Sequence, residues 1–308
     1  MPDDAVAPDT GAPEGTSRRA AEEESAFAHA AVPPDSTAAY GDHPDQIIDF
    51  YAPREGARSD SGPAPLVVVL HGGSWRASYD RTHLSPFADF LAQRGFAVAN
   101  VEYRRGADGP GQDGAGGDGL APAGRWPDTF DDVAAALDAL PALAEQALPA
   151  AGPRRTVVTG HSAGGQLALW AAARHVLPKD ALWRTDEPAQ FRGVVALAPI
   201  ADFELAGRLG VCSGAAEQFL GGPALAAERL AYADPVTLLP TGIATTVVQG
   251  RADDVVPAEL AESYAEAAAL AGELVGLTVL EDVGHYPLID PAADACAVVA
   301  EEIAQLAW

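Results

Sequence analysis

Short strand-like runs alternate along this chain with segments that have the apolar spacing of amphipathic helices. Several runs are almost continuously apolar, such as LVVVL at 66–70, which is typical of a strand buried on both faces. This alternation indicates a mostly parallel sheet flanked by helices, so we expect an α/β fold. The expected strands are 46–51, 66–70, 97–102, 156–159, 193–198, 245–249 and 277–280, and the expected helices are 84–94, 131–140, 164–174, 258–271 and 292–306.

Three segments depart from this alternation. Residues 1–40 are rich in Ala, Pro and acidic residues without apolar periodicity, so we expect a disordered tail before one domain at 41–308. Residues 106–124 are dominated by Gly, Asp, Ala and Pro, which predicts a flexible surface loop. Residues 201–240 separate two expected strands and are too long for a plain crossover. They form either a small cap or a decorated connection, and we favour the cap.

Composition narrows the range of partners. The net charge is −25, from 44 acidic and 19 basic residues, which argues against binding to nucleic acid. No apolar run approaches the ~20 residues of a membrane span, and the acidic start, MPDD, is unlike a secretory signal. We therefore expect a cytoplasmic protein with no membrane association.

Cys212 and Cys296 provide neither metal-ligand spacing nor a disulfide framework, so we expect both to be free and structural. Nothing in the pattern predicts an oligomeric state.

The sequence Gly160-His161-Ser162-Ala163-Gly164 lies between an expected strand and an expected helix. Alone, Gly-x-Ser-x-Gly is a weak pattern, but the strand–turn–helix context makes it specific. A sharp turn here lifts the serine hydroxyl clear of the sheet, and the helix N-terminus offers N–H groups to a developing oxyanion. Ser162 is therefore a candidate nucleophile. The alternative is a Gly-rich turn without chemistry.

A serine hydroxyl needs a base to remove its proton, and the chain has seven histidines. His285 follows the expected strand at 277–280 and so lies at the carboxyl edge of the sheet, where α/β folds bind ligands. We predict His285 as the base. His161 adjoins the serine but is expected to point away across the turn as a packing residue. The others lie in the tail, on helix-like surfaces or at a strand end: His29, His43, His71, His83 and His175.

The carboxylate that orients the base should lie between the serine and the histidine, because this kind of fold orders its triad Ser, Asp or Glu, His. The turn after the strand at 245–249 reads GRADDVVP and contains two candidates. We favour Asp253 over Asp254. Asp282 and Asp290 are nearer to the histidine in sequence, but we expect them to cap turns.

The sequence His71-Gly72-Gly73-Ser74-Trp75 follows the expected strand at 66–70 and is the candidate oxyanion loop. Glycines let the backbone approach a substrate closely, and a His-Gly-Gly loop donates N–H groups to the oxyanion in lipases and esterases. We expect N–H donors from Gly72 or Gly73 and from Ala163.

The predicted pocket combines residues of these motifs with the segment 201–240. Four side chains are expected to border it, namely Ser74, Trp75, His161 and Tyr286. Apolar residues of 201–240 are expected to line a modest acyl site, namely Phe203, Leu205, Leu209, Phe219 and Leu220.

With these motifs the chain resembles the α/β-hydrolase superfamily and, within it, bacterial carboxylesterases related to kynurenine formamidases. The similarity covers most of 45–308 and includes Glu102-Tyr103-Arg104-Arg105 and Trp126-Pro127, with Asp132 five residues beyond the proline. The resemblance implies that Tyr103-Arg104 and Asp132 are structural, the arginine bracing the carboxylate beside the site. It also implies hydrolysis of a small-molecule ester or amide through an acyl-enzyme on Ser162, with no metal or organic cofactor.

Ser74 departs from the pattern of the formamidase-like relatives, which usually have an aromatic residue there. A serine leaves more room and removes a stacking surface for an aryl group, so we expect small to medium esters to be better substrates than formamides. Three alternatives remain open: an arylformamidase, a short-peptide hydrolase and a non-catalytic binding protein on the same fold.

Overall fold

The strands expected from the sequence lie side by side in one sheet. The computed structural model describes residues 14–54, 62–106 and 122–308, and these contain eight strands in the order β1-β2-β4-β3-β5-β6-β7-β8. Strands β1 and β2 are antiparallel additions at one edge, and β4, β3 and β5 to β8 are parallel. The strands are β1 (Ser36–Ala39), β2 (Ile47–Tyr51), β3 (Ala64–Leu70), β4 (Ala97–Val101), β5 (Ala151–His161), β6 (Gly193–Leu197), β7 (Thr245–Gly250) and β8 (Val275–Leu280).

Helices cover both faces of the sheet, which confirms the predicted fold class. The α-helices are α1 (Glu14–Phe27), α2 (Ser85–Gln93), α3 (Asp128–Ala147), α4 (Ala163–Ala172), α5 (Phe203–Leu209), α6 (Ala215–Phe219), α7 (Pro223–Ala233), α8 (Ala258–Leu270) and α9 (Asp294–Ala307). Alternate residues of β3 explain its continuous apolar run. Val67 and Val69 pack with α2 and α9, whereas Leu66, Val68 and Leu70 pack with α3, α4 and α8. No helix in the described parts of the chain is both long and apolar enough to span a membrane.

The predicted disordered tail at 1–40 is wrong from residue 14 onward. Residues 14–27 form α1, and residues 36–39 form β1, which extends the sheet by pairing with β2. Beside it, Thr37 Oγ1 donates to Asp49 Oδ1 at 2.6 Å. Residues 1–13 lie outside the described residues, as do residues 107–121 of the loop predicted at 106–124.

The segment 201–240 contains α5, α6 and α7. Its aromatic residues fasten it to the main core, because the ring centroid of Trp75 lies 5.7 Å from that of Phe203 and 4.6 Å from that of Phe219. Phe219 also stacks on Phe130 of α3, with centroids 4.9 Å apart. Stacked rings at these distances add to the stability that burial provides, so the segment is fixed on the domain.

Two buried carboxylates lie at the N-terminus of α5. Asp202 Oδ1 accepts the N–H of Leu205 at 2.8 Å, and Asp234 Oδ1 accepts the N–H of Phe203 at 3.1 Å. Burial raises the pKa of Asp234 from 3.8 to about 7, with Asp202 adding to the increase. A buried acid with a raised pKa stabilises the fold while it is protonated, so its contribution is lost as the pH rises through about 7.

Asp234→Asn is therefore expected to remove part of the pH dependence of folding. The amide keeps the acceptor for Phe203 and carries no charge, so the variant gains stability relative to wild type as the pH rises from 5 to 8. Each unit of pKa shift corresponds to about 1.4 kcal/mol, so the gain is on the order of a few kcal/mol. Urea unfolding at both pH values measures it, and an equal difference at the two pH values contradicts the expectation.

Candidate active site

Ser162 lies on a sharp turn between β5 and α4. Its backbone has φ 58° and ψ −117°, and its N–H donates to Leu197 O at 2.8 Å. The turn depends on glycine, since a Cβ on Gly160 would lie 2.2 Å from Gly164 O, and a Cβ on Gly164 would lie 2.1 Å from Leu70 O. The crowded turn holds the serine at the carboxyl edge of the sheet.

His285 and Asp253 form a buried pair on the turns that follow β8 and β7. His285 Nδ1 hydrogen-bonds Asp253 Oδ2 at 2.7 Å. The other oxygen, Asp253 Oδ1, accepts the N–H groups of Val255 and Val256, both at 2.8 Å. Asp254, the alternative weighed from the sequence, has an exposed side chain. Asp253 is therefore placed to fix the ring of His285, and Asp254 is not.

The turns that carry Asp253 and His285 are packed directly against each other. Ala252 donates its N–H to Val283 O at 2.9 Å. A Cβ on Gly250 would lie 2.3 Å from the same carbonyl oxygen, so this approach requires glycine. The parallel strands thus bring Asp253 and His285 together although β7 and β8 are separated by α8.

His161 holds the main chain of His285 and does not point away from the site. Its Nε2–H donates to the backbone carbonyl of His285 at 3.0 Å, and the two ring centroids are 4.3 Å apart. Burial, with His285 nearby, lowers the pKa of His161 well below its ordinary value, so its ring is neutral. The expectation that it is only a packing residue is wrong, because it holds the main chain of His285 and also borders the cavity at Ser162.

The glycine loop after β3 passes beside the serine. A Cβ on Gly72 would lie 3.3 Å from Ser162 Cβ, and Gly73 has φ 102°, which glycine adopts without strain. Ala163 is the first residue of α4, so its N–H has no acceptor within the helix. The three predicted donor residues therefore all lie close to Ser162.

A buried ionic network holds this loop from behind. His71 Nε2 hydrogen-bonds Glu102 Oε1 at 2.9 Å, and its ring stacks on Tyr103 with centroids 4.2 Å apart. Burial alone raises the pKa of Glu102, but His71 and Arg105 outweigh it and lower the pKa to about 2. The carboxylate is therefore charged, and His71 has an anchoring position rather than a catalytic one.

Arg104 and Asp132 form a second brace. Arg104 Nε and Nη2 donate to the two oxygens of Asp132 at 2.8 and 2.6 Å. The Arg104 backbone N–H and Gln46 Nε2 complete the carboxylate's hydrogen bonds, at 2.8 and 2.7 Å. Asp132 is fully buried, so this pair ties β2, α3 and the segment after β4 together.

A cavity of about 80 Å³ opens directly on Ser162 and His285. Four rings form much of its wall, namely Phe27, Tyr79, His83 and Tyr286, and Ser74 and His161 also border it. Burial, followed by the nearby His71, lowers the pKa of His83 to about 4, so this ring is neutral. The lining combines aromatic rings with polar groups, and a cavity of this size suits a small acyl group.

A wider groove of about 430 Å³ adjoins the cavity and shares Gly73, Ser74, Tyr79, Val255 and Tyr286 with it. Its other walls are more polar and include Arg19, Glu23, Arg76 and Asp254, together with 209–213 after α5. Both cysteines are free thiols; Cys212 borders this groove, and Cys296 is buried in α9.

A family model described as BD-FAE matches residues 48–267, which include the glycine loop, the serine turn and Asp253. The chain belongs to the BD-FAE family. This family is of the α/β-hydrolase type, in agreement with the fold and with the resemblance to the α/β-hydrolase superfamily.

Relatives of this BD-FAE chain are named as lipases and esterases. Lipase 2 of Moraxella sp. (strain TA144) is 31% identical over 156 residues, which are 50% of this chain and 32% of the lipase. The match thus spans about a third of that relative. Esterase B from Lactobacillus rhamnosis (HN001) has TM-score 0.71 and 18% identity, covering 94% of this chain and 91% of the esterase. Esterase Est2 of Thermogutta terrifontis has TM-score 0.62 and 19% identity, covering 88% and 92%.

The structure of this chain corrects two expectations about the pocket. Trp75 is completely buried against Phe219 and does not border the cavity. Ser74 and Trp75 both have left-handed backbones, with φ 54° and 55°, and the large indole ring lies in the core. Of the five apolar residues expected from 201–240, only Leu209 borders the groove, because Phe203, Phe219 and Leu220 are buried and Leu205 packs on the core.

Ser74 provides no stacking surface, as expected, but the cavity has aromatic surface from other positions. Phe27, Tyr79, His83 and Tyr286 supply that surface from other parts of the BD-FAE chain. Of these rings, only Tyr286 was predicted from the sequence. Tyr79 and His83 follow the oxyanion loop and were detectable as ring-bearing residues close to it, whereas Phe27 carries no local signal.

Proposed function

We propose that this chain is a serine hydrolase that cleaves carboxylic esters with short acyl groups, and that Ser162, His285 and Asp253 are its triad. The observation that carries the proposal is the buried His285–Asp253 hydrogen bond of 2.7 Å beside the cavity that Ser162 also borders. The relatives support hydrolysis of esters, because both solved structures are of esterases and the relative found by sequence is named a lipase.

In the proposed reaction, the Ser162 hydroxyl attacks the ester carbonyl while Nε2 of His285 takes its proton. Asp253 accepts the Nδ1–H of His285, which leaves Nε2 unprotonated and stabilises the imidazolium that forms. N–H groups of Gly72 or Gly73 and of Ala163 stabilise the oxyanion. The imidazolium then protonates the leaving alcohol. Water attacks the acyl-enzyme with His285 again as base, which releases the acid and restores the serine.

The dimensions of the site favour a short acyl group. The cavity at Ser162 has about 80 Å³, roughly half the volume of an engineered cavity of about 150 Å³ that binds benzene. We assign the acyl group to this cavity and the alcohol to the wider, more polar groove. The related Est2 has been solved with propionate and with butyrate bound, and esterase B with a tributyrin phosphonate inhibitor, which supports the assignment.

A series of p-nitrophenyl esters tests the assignment. We expect kcat/KM to be highest between acetate and butyrate and to fall by about 10-fold or more at octanoate, because an acyl chain longer than the cavity does not fit in it. N-formylkynurenine is the comparison that separates the arylformamidase alternative. Faster hydrolysis of this amide than of any ester in the series would show that the proposed substrate class is wrong.

A further inference from the structure

Helix α1 contacts the turns that carry both the acid and the base, although the proposed mechanism uses no residue of this helix. Arg18 Nη2 donates to Ala252 O at 3.0 Å, one residue before Asp253. Glu22 Oε1 accepts the N–H of Gly284 at 3.1 Å, one residue before His285. The helix therefore bridges the main chain on the outer side of the acid–base pair.

The base turn leaves space for the Glu22 side chain. Gly284 has no Cβ, and a Cβ built there would lie 2.0 Å from Glu22 Oε2. The Glu22 side chain is half-buried, and this burial raises its pKa above the ordinary value. A larger residue at 284 would displace the carboxylate from this position.

The C-terminal end of α1 is fixed next to the cavity. The Ser25 hydroxyl donates to Asp290 Oδ2 at 2.6 Å, and His29 Nε2 hydrogen-bonds Asp290 Oδ1 at 2.7 Å. Asp290 is buried, so these contacts hold the helix end on both sides of Phe27. The ring of Phe27 then lies 5.5 Å from that of Tyr286 and 5.7 Å from that of His83, in the wall of the cavity.

We propose that α1 forms part of the active site and has two roles there. Phe27 limits the length of the acyl group, and Glu22 positions the turn that carries His285. The specificity part rests on the proposed ester hydrolysis. Glu22 is a positioning residue, because it acts through the main chain of Gly284 and does not touch the reacting atoms.

Phe27→Ala tests the specificity part. Removing the ring extends the cavity, so kcat/KM for p-nitrophenyl octanoate should rise about 10-fold relative to butyrate. Glu24→Ala is the matched control, since Glu24 is an exposed residue of the same helix, and its chain-length profile should equal that of wild type. An unchanged profile in Phe27→Ala, in an enzyme that hydrolyses esters, overturns this part.

Glu22→Ala and Glu22→Gln test the positioning part. The alanine variant loses the acceptor for Gly284, so kcat should fall about 10-fold with little change in KM. The glutamine variant keeps an oxygen acceptor and should recover most of the rate. If Glu22→Ala does not fold, Glu22→Asp replaces it, because its shorter side chain withdraws the carboxylate from Gly284.

Amide hydrogen exchange supplies a readout that does not depend on activity. The peptide containing Gly284 should exchange faster in Glu22→Ala than in wild type, Glu22→Gln or Glu24→Ala. Unchanged exchange and unchanged kcat in Glu22→Ala overturn the positioning role. A wild-type protein that hydrolyses no ester refutes the proposed function instead, while the exchange experiment still decides whether Glu22 holds the turn.

Discussion

Replacement of Ser162 by alanine is expected to lower kcat on short esters by on the order of 10⁴-fold or more. The alanine methyl group occupies the position of the serine Cβ, which the turn already accommodates at φ 58°, so the fold should be kept. What is lost is the oxygen that forms the acyl-enzyme. The measurement is kcat on p-nitrophenyl butyrate, with thermal unfolding as the control for structure. A variant that keeps more than about a tenth of the wild-type rate is incompatible with Ser162 as nucleophile.

Asp253→Asn should lower kcat by on the order of 10⁴-fold, because its amide favours the wrong tautomer of the base. The remaining amide oxygen can still accept from Val255 and Val256, which turns the NH₂ group toward His285 Nδ1. His285 Nδ1 must then accept this hydrogen bond, so the ring proton lies on Nε2. In this tautomer Nε2 cannot take the proton of Ser162.

Asp254→Asn is the matched control for this experiment. Its side chain is exposed in the wall of the wider groove and does not hold the ring of His285, so its rate should fall by less than about ten-fold, far less than that of Asp253→Asn. The rate comparison of the two variants therefore assigns the carboxylate. If Asp254→Asn were the inactive variant and Asp253→Asn the active one, the acid would lie one residue further along the chain.

Local sequence signals account for the parts of the fold that were predicted correctly. The run at 66–70 is buried on both sides of the sheet, so its continuous apolar character follows directly from its position. The turn at Ser162 is equally local, because its glycines are required by contacts within β5, α4 and the neighbouring strand. Helix α3 shows the limit of such signals. It continues through Pro141 to Ala147, whereas the predicted helix ended before the proline.

Helix α1 was missed because its docking leaves no apolar pattern. Ala26 is buried and Phe27 borders the cavity. The hydrogen bonds that fix the helix are made by Arg18, Glu22 and Ser25, whose polar side chains are typical of a solvated segment. These contacts reach residues far along the chain, and local periodicity carries no information about them. Phe27 was missed because a single aromatic residue in such a segment makes no periodic apolar pattern.

The walls of the pocket were predicted poorly because they depend on backbone direction. Trp75 directly follows the oxyanion glycines and Ser74, yet its ring lies in the core against Phe219. The two left-handed residues that cause this, Ser74 and Trp75, are not types for which positive φ is expected. Sequence spacing therefore predicted which residues lie together at the carboxyl edge of the sheet, but not the surfaces around them.

Labelling with a phosphonate ester that carries a good leaving group tests the central claim most directly. We expect intact-mass spectrometry to show one phosphonyl group per chain, digestion to place it on Ser162, and activity to fall in proportion to labelling. Ser162→Ala should remain unlabelled under the same conditions. Modification of a different residue, or full activity in protein completely labelled at Ser162, would contradict the assignment of Ser162 as the nucleophile.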